Sequence, residues 1–287
     1  MQTRKILTRA AVVMPGVGVL VALAAAPAFA AATAPPGYRI VRSPDIAAPA
    51  SIFNTGGDAT CPSGTVPWGG GASMNNGFAA RGTSINTSEP ITGGWRARLN
   101  NASGTAQTFV VDVICAKKPK GYKVAFSTAD NPPHSNTSAT ANCPTGTVVL
   151  SGGVFSTSDT TAAAVTSLGP SGQHKFTASM ANTSNTDQRV SAFAICGAKP
   201  PKYTIVTQSL TDTSGPDDPV LTPVCPVGTS VLGGGMKIVN PGFDIAIAGS
   251  LDEDRHGWFG EAVSQRSGPV MPGGHTFFLS RQSWAAT

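Results

Sequence analysis

A five-residue motif, Cys-Pro-x-Gly-Thr, occurs three times in the chain at a constant interval. The copies begin at Cys61, Cys143 and Cys225, and a run of two or three glycines follows each copy within a few positions. A fixed period of this length is typical of a fold that is built from repeated structural units. The sequence therefore predicts three homologous repeats of about 82 residues, spanning 37–119, 120–200 and 201–287.

Each repeat has the pattern of short β-strands separated by turns, although the third is degenerate at its C-terminal end. In the motif, proline presets φ and the glycine permits a positive φ, so the chain turns there. An apolar strand follows, and the glycines after it indicate a β-bulge or the close approach of another backbone. The predicted fold class is all-β, with the repeats in a β-prism-like or multi-sheet assembly. Three tandem small β-sandwiches are the alternative.

The N-terminal segment 1–30 has the pattern of a secretory signal peptide. Basic residues near the N-terminus precede an uncharged run over 10–26, and 28–30 has the Ala-x-Ala form of a cleavage site. We expect 1–30 to be removed, and the mature chain to be secreted, extracellular and without a membrane partner. Loss of three basic residues lowers the net charge from +5 to +2. Because no basic stripe is present, nucleic acid is not an expected partner either.

The cysteine spacing predicts disulfides in an exported chain. The interval from Cys61 to Cys115 matches the interval from Cys143 to Cys196 to within one position, which favours one disulfide within each of the first two repeats. Cys225 is left over as the predicted free thiol, because its partner would lie near position 278, where the chain has phenylalanine. We expect this thiol to be buried, with exposure and intermolecular pairing as the alternative.

The sequence contains no recognisable catalytic constellation. It has neither a G-x-S-x-G nor an H-E-x-x-H pattern, and its four histidines fall at unrelated points of the repeat. We therefore predict a protein that is not an enzyme and that uses no cofactor and no metal.

Large aromatic residues are the candidate binding residues. Trp95, Phe176 and Trp258 recur at the interval of the cysteine motif, to within one position. The favoured interpretation is one core anchor per repeat, and the functional alternative is a set of platforms for sugar rings. Trp68 and Trp284 lie outside this series and are candidates for exposure. The predicted binding residues are thus Trp68, Trp95, Trp258 and Trp284.

The recurring Cys-Pro-x-Gly-Thr motif, the glycine run and a closing Ile-Cys pair (114–115 and 195–196) resemble uncharacterised repeat proteins that actinobacteria secrete. The Cys-Pro-x-Gly turn with its closing cysteine is also similar to the vitelline membrane outer layer protein I family. That resemblance implies three sheets about a pseudo-threefold axis, a shape shared with some lectins. Fold analogy alone does not assign a function.

Three functional hypotheses follow. The first is a secreted, non-catalytic binding module whose partner is a polysaccharide or cell-wall glycan, based on the repetition, the aromatic series and the absent catalytic pattern. The second is a structural or surface-associated extracellular protein, based on the disulfides and low charge. The third is a hydrolase with an unrecognised site.

Overall fold

The computed structural model describes residues 34–75, 78–212, 220–239, 245–252, 256–265 and 275–284. The predicted signal peptide lies outside these ranges, within which the chain forms β-strands and no helix. The strands of the first segment, 37–119, are β1 (Arg39–Arg42), β2 (Ile46–Ala48), β3 (Ile52–Thr60), β4 (Val66–Met74), β5 (Thr83–Ile91), β6 (Gly94–Asn101) and β7 (Gln107–Ala116).

The second and third segments show a similar succession, with six strands each among the described residues. The second segment, 120–200, contains β8 (Lys123–Asn131), β9 (Ser135–Asn142), β10 (Val148–Ser156), β11 (Ala163–Pro170), β12 (Lys175–Asn182) and β13 (Gln188–Gly197). The third segment, 201–287, contains β14 (Thr204–Asp212), β15 (Val220–Leu221), β16 (Ser230–Val239), β17 (Ile245–Asp252), β18 (Trp258–Ser264) and β19 (His275–Trp284). The predicted all-β class is confirmed.

The strands form three antiparallel sheets, and each sheet is shared between two segments. Sheet A has the order β1-β7-β4-β17-β18-β15, with β2 also paired to β7. Sheet B has the order β3-β6-β5-β10-β13-β8, and sheet C has the order β14-β19-β16-β11-β12-β9. In every sheet, strands of one segment continue into strands of another through one central pairing: β4 with β17, β10 with β5, and β16 with β11.

This exchange decides between the two predicted architectures. A tandem β-sandwich would keep the strands of a segment in its own sheets, whereas here no sheet belongs to one segment. The multi-sheet prediction is therefore confirmed, and the alternative of three separate sandwiches is wrong. The sheets enclose one continuous core, to which the fully buried Trp95, Phe176 and Trp258 contribute the largest side chains at matching positions.

The glycine runs lie where the three sheets come together. A Cβ atom added at Gly69 would collide with the Leu232 carbonyl, and one at Gly233 would collide with the Ser151 side chain. Strands β4, β10 and β16 therefore meet at the centre of the fold, and each carries an irregularity in register immediately before this point. The predicted close backbone approach occurs, since side chains at these positions would hold the strands apart.

Two disulfides close the first two segments. Cys61 is bonded to Cys115, and Cys143 is bonded to Cys196, as the spacing predicted. Cys225 is 7% exposed, which agrees with the buried position expected for it. Strand register corrects one expectation, because Cys115 lies opposite Pro67 in β4, and the matching position in the third segment is Ser283 rather than residue 278.

Candidate functional site

The structure places three of the four predicted binding tryptophans inside the molecule. Trp95 and Trp258 are fully buried and Trp68 is 5% exposed. Their indole N–H groups donate to internal acceptors. Those of Trp95 and Trp258 donate to the hydroxyls of Ser88 and Ser250 at 3.0 and 3.1 Å, and that of Trp68 donates to the carbonyl of Lys117 at 3.1 Å.

The binding role predicted for these residues must therefore be corrected. A sugar stacks on a ring face that is open to solvent, and Trp68, Trp95 and Trp258 offer none. The core interpretation of the Trp95, Phe176 and Trp258 series is the one that fits their burial. The backbone of Trp284 pairs with Ser230 at the end of the last strand pair, and its side chain lies outside the described part of the structure.

The best-developed polar and aromatic cluster lies on the outer face of sheet B. Its members stand opposite one another on successive strands and form one line across the sheet. We call this line the cross-sheet row: Phe126, Phe193, Gly153, Glu89, Arg96 and Asp58. The row faces outward, because Trp95 and Ala97, the neighbours of Arg96 along β6, are fully buried on the opposite face.

Two phenylalanines form one end of the row. Phe126 on the edge strand β8 is 70% exposed, and its ring centroid lies 6.1 Å from that of Phe193, with the planes tilted by 33°. This separation lies within the range of favourable aromatic pairs. Of the described aromatic side chains, Phe78 is the other one that is exposed to this degree, and it lies in a loop. The pair is a preformed apolar platform.

Charged side chains form the other end of the row. The Arg96 guanidinium donates from Nε and Nη2 to the two Asp58 carboxylate oxygens at 2.9 and 2.8 Å. This two-point contact fixes the planes of both groups. Glu89 stands on the other side of Arg96, half-buried, and desolvation raises its pKa against the opposing influence of Arg96 and Arg98. The charged end therefore combines ordered donors with acceptors.

A glycine separates the two ends. Gly153 lies directly between Phe193 on β13 and the β5 backbone at Glu89. A Cβ atom added at Gly153 would collide with the Ser88 carbonyl and would lie 2.9 Å from Glu89 Cα, so the backbone of β5 packs directly over this glycine. The phenylalanine pair and the charged end therefore form two separate parts of the row, on either side of the β10–β5 junction.

An open depression of about 500 Å³ continues from the charged end. Backbone at Gly56 and Gly57 contributes to it, together with Asp58 and the half-buried Arg96 and Arg98. Asn54 lines the same depression from a β-bulge, with a φ of 57° that asparagine tolerates. Bulges commonly direct a side chain towards a binding site.

The equivalent faces of the other sheets carry different side chains. Sheet C has a groove of about 650 Å³ in which serine and threonine hydroxyls bond one another, for example Ser138 to Ser179 at 2.7 Å and Thr140 to Thr177 at 3.0 Å. Sheet A has a smaller cavity of about 160 Å³ beside the Arg42–Asp112 ion pair. The glycine at the centre is common to all three faces, whereas the flanking groups are not.

Sequence reasoning missed the cross-sheet row for a physical reason. Its members come from strands of two segments, and no spacing in the chain relates Asp58 to Phe126 or Phe193. The available signal was the alternation of β6, in which Arg96 and Arg98 interrupt buried residues with period 2. That pattern marks an outward face but does not identify what lies across the sheet from it.

Comparison with models of known protein families finds no match, and comparison with curated proteins finds none either. No helix in the described ranges is long and apolar enough to cross a membrane. The two disulfides are compatible with an extracellular protein.

Proposed function

We propose that this protein is a secreted, non-catalytic glycan-binding module, and that the cross-sheet row of sheet B is its binding site. The observation that carries the proposal is the division of the row by Gly153 into an exposed phenylalanine pair and an ordered Arg96–Asp58 pair. Sugars have apolar ring faces and polar hydroxyl edges. A surface that offers an aromatic platform on β8 and β13, and paired donors and acceptors three strands away on β6 and β3, provides groups for both features.

The rigidity of the row favours binding. Most members of the row lie on strands that are paired on both sides, and Phe126 lies on the edge strand β8, which is paired with β13. Sheet hydrogen bonds therefore hold their backbones in place. Asp58 is held in turn by Arg96. Preorganised side chains lose little conformational entropy when a ligand binds, which improves affinity.

The arrangement favours binding over hydrolysis. A glycosidase requires one carboxylic acid and one carboxylate that is available to water or to the sugar. Both oxygens of Asp58 accept hydrogen bonds from Arg96, so this carboxylate is already engaged within the protein. Glu89 alone does not supply the second group. The proposal therefore assigns Asp58 and Glu89 to ligand binding.

Export and function are linked in this proposal. The pattern of 1–30 directs the chain out of the cytoplasm, where polysaccharides and cell-wall glycans are exposed. The disulfides stabilise a small-residue core under those oxidising conditions.

The test is co-sedimentation of the purified protein with insoluble cellulose, chitin and peptidoglycan, with release of reducing ends measured in the same samples. Saturable binding without release of reducing ends is the expected result. Phe126→Ala is expected to weaken that binding at least tenfold. Phe78→Ala is the matched control, because Phe78 is 73% exposed but lies in the loop between β4 and β5, outside the row.

Two outcomes would contradict the proposal. If Phe126→Ala and Phe78→Ala weaken binding equally, the row is not the site. If reducing ends accumulate with the unmodified protein, the molecule is a hydrolase and the assignment of Asp58 and Glu89 is wrong.

A further inference from the structure

We infer that the glycan bound at the cross-sheet row carries an acidic group, either a carboxylate or a sulfate ester, and that Arg98 recognises it. This inference rests on the proposed function and names the chemistry of its ligand. The observation behind it is the contrast between two arginines that stand two positions apart on the same face of β6.

Arg96 already has its anion within the protein. Its guanidinium is bonded at two points to Asp58, and the resulting ion pair measures 2.8 Å. The hydrogen bond to Asp58 raises the pKa of Arg96 further above its ordinary value. The role of Arg96 in the site is therefore to hold Asp58 in place and to present the N–H groups that this pair leaves over.

Arg98 lines the same depression but has no such anion. Among the residues that the structure describes, no carboxylate lies within ion-pair distance of its guanidinium, and no side-chain hydrogen bond engages it. The side chain is half-buried. A guanidinium carries five N–H donors, and partial burial without an acceptor costs free energy that an acidic ligand would recover.

The aliphatic part of Arg98 is positioned by a glycine. Gly56 stands opposite Arg98 on β3, and a Cβ atom added at Gly56 would lie 2.7 Å from Arg98 Cγ. The stem of Arg98 thus lies against the bare backbone of β3. With its stem fixed, the guanidinium loses little entropy on binding an anion.

The remaining charges of the depression allow an acidic ligand. Asp58 is neutralised by Arg96, and Glu89 lies on the far side of Arg96, towards Gly153. Burial raises the pKa of Glu89, which opposes its ionisation. Glu89 is a diagonal neighbour of Arg98 and interacts with it electrostatically, but no carboxylate of the described residues forms an ion pair with Arg98.

Carboxylates and sulfates both present two oxygens that match the planar guanidinium fork. Side chains two positions apart along a strand are separated by about 6.6 Å, so an acidic substituent of a sugar lying over Arg96 reaches Arg98. Lysine would supply the same charge but not the two parallel hydrogen bonds.

The experiment measures binding of the purified protein to three soluble polysaccharides by affinity electrophoresis: neutral dextran, polygalacturonate and dextran sulfate. The variants are Arg98→Gln, Arg98→Lys and Phe126→Ala. Arg39→Gln is the matched control, because Arg39 is an exposed arginine on β1 of sheet A. We expect at least one acidic polysaccharide to bind at least tenfold more tightly than dextran. Arg98→Gln should remove that preference, Arg98→Lys should retain only part of it, and Arg39→Gln should leave it unchanged.

The possible results distinguish a failure of this inference from a failure of the proposed glycan-binding function. Preference for polygalacturonate assigns the acidic group as a carboxylate, and preference for dextran sulfate assigns it as a sulfate ester. Equal, Phe126-dependent binding of neutral and acidic polysaccharides would overturn the inference while the glycan-binding proposal stands. A preference that Arg39→Gln reduces as much as Arg98→Gln would also overturn it, because general charge would then explain the binding. Absence of binding to every glycan would overturn the proposed function itself.

Discussion

The phenolic hydroxyl of Tyr203 donates a 2.6 Å hydrogen bond to the carbonyl oxygen of Val149, which belongs to a different segment of the chain. Tyr122 bonds in the same way to Pro67 at 2.8 Å, and Tyr38 bonds to Val231 at 2.8 Å. The three acceptors recur along the chain at the interval of the cysteine motif. The second and third segments therefore each donate a hydrogen bond to the segment before them, and the first donates one to the third. The three hydrogen bonds form a closed cycle around the fold.

Tyr203→Phe is expected to lower the free energy of unfolding by about 1 kcal/mol, because it removes one hydrogen bond between segments without changing the ring. Tyr122→Phe is the matched comparison and should cost less, since Tyr122 is half-buried whereas Tyr203 is 8% exposed. Urea unfolding followed by tryptophan fluorescence measures both. Equal stability of the Tyr203→Phe variant and the unmodified protein would show that the cycle does not stabilise the fold.

Gly71→Ala is expected to destabilise the protein by about 3 kcal/mol, because the added methyl group would collide with the Ser250 carbonyl where β4 pairs with β17. Gly104→Ala provides the control, since a Cβ atom there meets nothing within 4 Å. It should change stability by less than about 0.5 kcal/mol. Thermal unfolding of the two variants tests the prediction, which fails if their midpoints agree.

Ser283→Cys is expected to create a third disulfide, with Cys225. Ser283 stands opposite Val231, as Cys115 stands opposite Pro67 and Cys196 stands opposite Val149. Closing a loop of this length contributes up to about 4 kcal/mol by the chain-entropy estimate. Intact-mass analysis under non-reducing conditions should show no thiol left to alkylate, and the denaturation midpoint should rise. Phe278→Cys is the control, because it sits at the position expected from residue counting and should leave two thiols that alkylate on unfolding.

Alkaline pH is expected to destabilise the fold through Tyr122. Burial raises the pKa of Tyr122 to about 12 from an ordinary value of 10.0. The folded state therefore retains this proton more strongly than the unfolded state does. The associated stability is fully present below about pH 10 and is lost as the pH rises through about 12, with a total of about 2 kcal/mol once solvent screening of the half-buried ring is allowed for.

Ultraviolet titration near 295 nm measures this ionisation directly, because the chain contains only three tyrosines. Tyr122→Phe should remove a component that titrates near pH 12. If the missing component instead titrates near pH 10, the phenol is solvated and the prediction is wrong.

Several features of the fold follow from local patterns and were predictable. The proline and glycine of the Cys-Pro-x-Gly-Thr motif turn the chain in every segment. Gly64, in the first copy, has the expected positive φ, at 80°. The disulfide partners follow from matched spacing, because equivalent residues of equivalent segments occupy equivalent places. The position of Ser283 did not follow, since loops in the third segment differ in length and register is decided by pairing rather than by counting.

The amino-acid sequence by itself determined the all-β class, the internal period and the two disulfides, because each depends on short-range pattern or spacing. The burial of Trp95, Phe176 and Trp258 was decided by the tertiary structure. Only the tertiary structure decided that every sheet joins two segments, since β10 could pair with strands of any segment that share the same alternation. The cross-sheet row is the consequence. Asp58 and Phe126 lie on the same sheet, at its opposite edges, because β5 and β10 are neighbours, and that pairing depends on how the whole core closes rather than on any residue near either of them.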